Sequence, residues 1–300
     1  MKKTILITGA NGLLGQKLVE LLVQESTVDL IATAKGENRL PNSAGYRYVS
    51  LDITNSGEVN TVFDTYQPHV VIHTAAMTNV DTCETDQTGC ELLNVTAVAY
   101  LIEACQKHNT FLCHLSTDFI FDGADGPYTE EAIPNPISVY GASKLRAEKL
   151  LEASSIRWAI ARTVLVFGIV SDMSRTNIIL WVKKSLEEGK QINVVTDQFR
   201  TPTLAEDLAM GCWLIAHKEA KGIFNISGSD FLTPYEMAIK TANFYGLPVE
   251  LIQQADSSTF SQPAKRPPRT GFILDKARRE LGYQPRTFDD GIALMAKQIQ

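Results

Sequence analysis

Cysteine pairs, metal-ligand spacing and long apolar runs are all missing from this sequence. Its five cysteines (Cys83, Cys90, Cys105, Cys113 and Cys212) are odd in number and show no CxxC spacing. That argues against a disulfide framework or a zinc site and leaves free, buried thiols; no metal is expected. Positive charge is also short: 28 Lys and Arg face 34 Asp and Glu, a net charge of −6, with a pI near 5.5. A nucleic-acid partner is therefore not expected. The one basic knot, Lys265, Arg266 and Arg269, sits in a proline-rich loop, and most such knots are merely solvated. No apolar run approaches the roughly 20 residues of a membrane span, so no membrane partner is expected either. The opening MKKTILITGA has the basic and apolar parts of a signal peptide, but its apolar stretch breaks at Gly9, Asn11 and Gly12. It reads as a first strand, and a cytoplasmic protein is expected. Internal repeats and low-complexity tracts are absent too.

What is present is a chain of 300 residues, 44% hydrophobic and 21% charged, long enough for one large α/β domain or two smaller ones. Apolar, β-branched runs recur at 4–8, 30–34, 46–51, 70–74, 111–115 and 158–166, separated by segments of helical spacing. This alternation predicts βαβ units and a doubly wound, mostly parallel sheet of the Rossmann type, covered by helices on both faces. The dinucleotide-binding domain is expected over residues 1–168. A smaller α/β lobe that binds substrate is expected over 169–300, with part of it returning to the first domain. Within that second half, 175–188 and 204–217 read as helices, 192–195 and 222–226 as strands, and 275–281 and 289–299 as closing helices.

The stretch TGANGLLG, residues 8–15, lies between the first strand and an apolar helix. A pyrophosphate needs backbone amides at a helix amino terminus with no Cβ in the way, and Gly9, Gly12 and Gly15 meet that need, with Asn11, Leu13 and Leu14 completing the loop. About 20 positions further on, an acid would bond a ribose 2′-hydroxyl and a base would accept a 2′-phosphate. Ala34 and Lys35 stand there. NADPH is favoured over NADH, with NADH left open.

In VYGASK, residues 139–144, Tyr140 and Lys144 are spaced i, i+4 and share one helix face. A tyrosine with a pKa near 10 is a reluctant acid, and a neighbouring ammonium would lower that value. Gly141 and Ala142 would allow a cofactor to approach closely. Upstream, HLSTDFIFDG, residues 114–123, falls at the carboxyl end of the fifth strand, where doubly wound sheets bind ligands. There Thr117 could donate to a substrate carbonyl and Asp118 could bond sugar hydroxyls. The plainer reading is that 116–118 cap a following helix, but FIFDG resumes apolar alternation with no helix in view. Arg266 suits a substrate pyrophosphate.

TGxxGxxG, Ser-Thr-Asp and Tyr-x-x-x-Lys in this order resemble the extended short-chain dehydrogenase/reductase family. STDFIFDG, VYGASKLRAE and TDQFRTPT together are similar to its dTDP-4-dehydrorhamnose reductase branch. The resemblance implies a catalytic triad of Thr117, Tyr140 and Lys144, with Asp52 and Ile53 flanking the adenine. It also implies that Thr74, Ala75 and Ala76 line the cofactor cleft and that Thr117 and Asp118 meet the substrate. The implied activity is NADPH-dependent reduction of a nucleotide-linked 4-keto-6-deoxy sugar, by an enzyme for which a homodimer is open. Two departures bear on the substrate. Leu165 replaces a usual tryptophan, and Arg269-Thr270 replaces a usual Asn-Ser. An epimerase or dehydratase of the same superfamily is a rival, although Phe119 stands where such dehydratases place a glutamate. A non-catalytic, NADP-binding regulatory subunit like that of methionine adenosyltransferase is another.

Overall fold

The computed structural model describes residues 2–171 and 176–299. Short runs that are apolar on both sides can be satisfied only between two helical layers, and the strands behave accordingly. β1 (Lys3–Thr8), β2 (Val28–Ala34), β3 (Arg47–Ser50), β4 (Val70–His73), β5 (Phe111–Thr117) and β6 (Trp158–Thr163) join in one sheet with β10 (Gly222–Asn225). The order is β10-β6-β5-β4-β1-β2-β3, and every pairing is parallel. Strand order reverses between β1 and β4, which opens a crevice at their carboxyl ends.

The helices that cover the sheet are α1 (Leu13–Leu22), α2 (Ser56–Tyr66), α3 (Val80–Thr85), α4 (Gln87–Glu91), α5 (Ala97–His108) and α6 (Val139–Ala153). One face buries Ile5, Ile7, Leu18, Leu22, Ile72 and Phe224; the other buries Leu6, Ile31, Phe63, Val71, Leu101 and Ile160. Two additions come from late in the chain. α8 (Ala205–Lys218) packs on the first face through Leu208, Cys212 and Ile215, and β10 extends the sheet beside β6.

The run 158–166 is not one strand. β6 stops at Thr163, Leu165 turns the chain with φ of 36°, and β7 (Val166–Phe167) pairs instead with β9 (Thr203–Leu204). A left-handed conformation at a branched residue costs roughly 1–2 kcal/mol. The alternation of apolar residues gives no warning of it.

The remaining elements pack at the carboxyl edge of the sheet. β8 (Ile192–Val195) pairs in parallel with β11 (Ile252–Ala255), and α7 (Ile178–Glu187) and α9 (Pro234–Tyr245) enclose a small core of Val182, Leu186, Val194, Ala238 and Ile252. α9 is well terminated: Thr233 and Glu236 form a capping box, Pro234 opens the first turn and Gly246 closes the last. α10 (Phe288–Ile299) joins Phe167, Ile179, Leu204 and Met237 in a further cluster. The expected helix over 175–188 begins at Ile178, and Arg175 lies outside the described residues. The expected closing helix at 275–281 is a wide helical turn over Ala277–Leu281. Among the described residues no helix is long and apolar enough to cross a membrane.

Candidate active site

α1 begins directly after Gly12, which caps it with no side-chain hydrogen bond, so its first amides face the crevice unsatisfied by the protein. The turn is tight enough to require Gly15: a Cβ there would lie 2.3 Å from the carbonyl oxygen of Gly9. From this turn a cavity of about 770 Å³ runs over the carboxyl ends of the central strands. Its walls include Gly9, Gly12, Leu13, Leu14 and Gly15, then Lys35, Asp52 and Ile53, then Thr74, Ala75 and Ala76. It continues to Thr117, Asp118, Tyr140 and Lys144, and Arg266 stands at its edge. Asn11 is absent from the walls. Its side chain donates to the Glu37 carbonyl at 2.9 Å and accepts from the Arg39 amide at 2.9 Å, bracing the loop after β2 against the glycine turn.

At the end of the cavity beside β2 and β3, Lys35 is almost fully exposed but not alone. Its Nζ lies 2.7 Å from Asp52 Oδ2. The lysine and a bond from Thr54 hold the Asp52 carboxyl down at about 2. The base expected to favour a 2′-phosphate is therefore one half of an ion pair.

α6 presents Tyr140 and Lys144 on one buried face, together with Glu148. Ser138 caps the helix by accepting from the Gly141 amide at 3.1 Å. Gly141 serves the fold rather than a cofactor, because a Cβ there would lie 2.0 Å from the Phe119 carbonyl oxygen. Phe119 meets Tyr140 edge to face, with ring centroids 5.8 Å apart. Behind the tyrosine, Cys83 and Cys90 pack against it. Asn94 donates to Ser143 Oγ at 3.1 Å and to the Met77 carbonyl at 3.0 Å, tying α6 to the segment after β4.

The expected lowering of the tyrosine by Lys144 does not occur in this cleft. Burial pushes the Tyr140 phenol well above its ordinary value, partly opposed by a hydrogen bond with Thr117. Burial also lowers Lys144 to about 8. The lysine Nζ lies 3.1 Å from His114 Nε2 on β5, a partner that no motif announced.

Thr117 does cap a turn, contrary to the sequence reading: its Oγ1 accepts from the Phe119 amide at 3.2 Å at the start of a single 3₁₀ turn over Asp118–Ile120. The same hydroxyl donates to Asp118 Oδ1 at 3.1 Å. Asp118 is buried and already partnered. Thr270 donates to its Oδ2, and Arg200 Nε lies 3.9 Å away. Burial pushes its carboxyl up, while Arg200 and Thr270 oppose the shift. Arg200 also donates to the Pro267 and Pro268 carbonyls at 2.7 and 3.2 Å, so it clamps the proline-rich loop.

Nor is the basic knot merely solvated. Arg266 grips Asp81 on α3 with bonds of 2.7 and 3.3 Å, and Arg269 lies over the rings of Phe199 and Phe231 at 4.9 and 5.3 Å. Leu165, at the position noted as a departure, lines the cavity and is half exposed.

The profile of the RmlD substrate binding domain family matches residues 1–300. The chain belongs to that family. It is 32% identical over 293 residues to a dTDP-4-dehydrorhamnose reductase of Aggregatibacter actinomycetemcomitans, covering 94% of each chain. It is also 32% identical over 291 residues to methionine adenosyltransferase 2 subunit beta of Bos taurus, covering 95% of this chain and 84% of that one. Among solved structures, the dTDP-4-dehydrorhamnose reductase of Bacillus anthracis in complex with NADP superposes with a TM-score of 0.84 at 27% identity, covering 99% of this chain and all (100%) of that one. As an RmlD family member, the chain carries its glycine turn, Thr117, Tyr140 and Lys144 around a single cavity.

Proposed function

We propose that this protein is an NADPH-dependent reductase of a nucleotide-linked 4-keto-6-deoxy sugar. The observation that carries the reading is the one cavity joining uncapped helix amides at one end to Tyr140, Thr117 and Lys144 at the other. The residues fit a dinucleotide: the α1 amides suit its pyrophosphate, Ile53 and Asp52 its adenosine, and Lys35 a 2′-phosphate. Ser116 Oγ is buried at the cavity wall with no partner, a further polar group for a ligand to satisfy. When bound, the nicotinamide supplies hydride to a carbonyl carbon. NADPH is the preferred form, and NADH is accommodated because Asp52 offsets the Lys35 charge.

The chain's own part is proton delivery and charge stabilisation. Tyr140, kept protonated by burial, gives its proton to the ketone oxygen. Thr117 turns its single hydroxyl proton from Asp118 Oδ1 to the same oxygen as negative charge develops there. Lys144 supplies positive charge and orients the cofactor ribose. Asp118 contributes by holding Thr117 and Thr270, and Arg266 by presenting a guanidinium to the substrate phosphates from its anchor on Asp81. Cofactor binding is assigned to residues 1–168, and most substrate contacts to 169–300. The protein is read as cytoplasmic, with a homodimer as the form to look for in sedimentation.

The test incubates the protein with NADPH and a panel of nucleotide sugars, including dTDP-4-keto-6-deoxy-L-mannose generated in situ, and follows the absorbance of the reduced cofactor. Stoichiometric consumption with a 4-hydroxy product is expected. An epimerase or dehydratase converts a sugar with no net consumption, and Phe119 already speaks against the latter. The equal identity to methionine adenosyltransferase 2 subunit beta favours a second reading, a cofactor-binding subunit. NADPH binding without turnover across the panel would replace the reductase reading with that one.

A further inference from the structure

His114 is fully buried on a central strand, and two facts about it do not fit a residue that merely fills the core. Its Nε2 lies 3.1 Å from Lys144 Nζ. Its Nδ1 is buried with no hydrogen-bond partner. An ammonium only donates, so a neutral His114 facing it accepts on Nε2 and must carry its proton on Nδ1. That leaves an unsatisfied buried donor, a cost that an aliphatic side chain in the same place would avoid. The surroundings favour the neutral ring. His73, its cross-strand neighbour on β4, lies with ring centroid 5.2 Å away and is itself buried, bonded through Nδ1 to Thr8 Oγ1 at 2.7 Å.

Among the other titratable groups around Lys144, the Glu148 carboxylate and Cys90 also favour its charged form from a distance, but His114 is the hydrogen-bond partner of its Nζ. Glu148, one turn further along α6, is buried in a pair with Arg162 on β6, whose Nη2 lies 2.7 Å from Glu148 Oε2. Tyr140 on the same helix is a protonated phenol, Cys83 on α3 is a thiol pushed up by burial, and Cys90 on α4 bonds Cys83 and Ser143. Asp118, on the turn after β5, is taken by Thr117, Thr270 and Arg200.

We propose that His114 is a positioning residue of the reaction, holding the Lys144 ammonium in place through its Nε2 lone pair and so keeping that lysine charged at the working pH. The inference rests on the reductase reading for its role in turnover, though not for the contact itself. Desolvation drives Lys144 toward the neutral amine, and an acceptor that stabilises only the charged form acts against it. Remove the acceptor, and the lysine loses its proton at lower pH.

The experiment is an NMR titration of the whole protein labelled with ¹³Cε-lysine, with the Lys144 signal assigned by its disappearance in Lys144→Arg. In the wild type it should titrate near the value of about 8 that burial sets. In His114→Leu the midpoint should fall by about one pH unit, the size of a typical single-partner effect. In His114→Gln, whose amide oxygen reaches the Nε2 position, it should return close to the wild-type value. The alkaline limb of kcat against pH should move in parallel. If His114→Leu fails to fold, His114→Asn takes its place: its shorter amide falls short of Lys144 and should show the same fall. An unchanged midpoint in a folded Leu or Asn variant, or a Gln variant that behaves like Leu, would overturn the proposal. Absence of turnover on any sugar would remove the reductase reading, while the titration would still decide whether His114 governs Lys144.

Discussion

The two ends of the cleft are built by different means. The end proposed for the cofactor is made largely of backbone: a glycine turn, uncapped helix amides and small residues at strand ends. The end proposed for the sugar is made of side chains brought together from far apart. Arg266 reaches Asp81 across 185 positions, and Thr270 reaches Asp118 across 152. Backbone geometry tolerates little change and serves any substrate that shares the cofactor. Side-chain pairs can be exchanged one at a time, so this end is the easier one to vary. Of the two departures from the usual pattern, Leu165 lines the cavity, and in the Arg269-Thr270 pair it is Thr270 that bonds Asp118 at the cavity wall.

The comparison breaks most sharply where the two ends meet. Tyr140→Phe should lower kcat by ~10²–10⁴, the usual share of general acid catalysis, with NADPH affinity nearly unchanged. Single-turnover kinetics and a binding titration check this, and a loss of only a few-fold would remove Tyr140 from the acid role. Next, Gly15→Ala forces a methyl into the Gly9 carbonyl. Overpacking against backbone costs roughly 1–3 kcal/mol, so NADPH should bind about 10–100-fold more weakly, with the sugar nucleotide little affected. Calorimetry with each ligand separately would show whether the damage stays at the cofactor end.

Smaller effects sharpen the contrast. Asp81→Asn releases Arg266 from its anchor and should raise KM for the sugar nucleotide by about three- to tenfold, because partly exposed ion pairs are worth little and the loss is mainly one of orientation. A change in the Kd for NADPH of the same size would show that the two ends are not independent. Smallest of all, Lys35→Ala should reduce the preference for NADPH over NADH by only about two- to fivefold, since Lys35 is exposed and already paired with Asp52. A collapse of the preference by a hundredfold would mean that the Asp52 pair opens completely when the 2′-phosphate arrives.

Legibility followed the same division. The strand, glycine turn and helix at the start of the chain could be read in order, as could the Tyr140 and Lys144 face of α6, because each depends on residues within a few positions of one another. Local reading failed where a long-range partner decided the outcome. Residues 222–226 read as a strand, but nothing nearby says that β10 pairs with β6. The apolar run 158–166 gives no sign of the break at Leu165. Gly141 looked like room for a cofactor and proved to be room for the Phe119 carbonyl. The basic knot looked like solvated charge, yet its arginines are held by Asp81 and by two phenylalanines.

By itself, then, the amino-acid order determined the parallel sheet, the glycine turn between β1 and α1, and the shared face of Tyr140 and Lys144 on α6. Hydrophobic period, glycine spacing and i, i+4 pairing are short-range and act alike in any surroundings. Only the tertiary structure decided the electrostatic state of the site. Burial, not a neighbouring cation, sets Tyr140 and Lys144, and His114, thirty positions from Lys144, became its partner because β5 and α6 pack together. Desolvation and charge pairing depend on which groups share a dry space, and that is settled by packing.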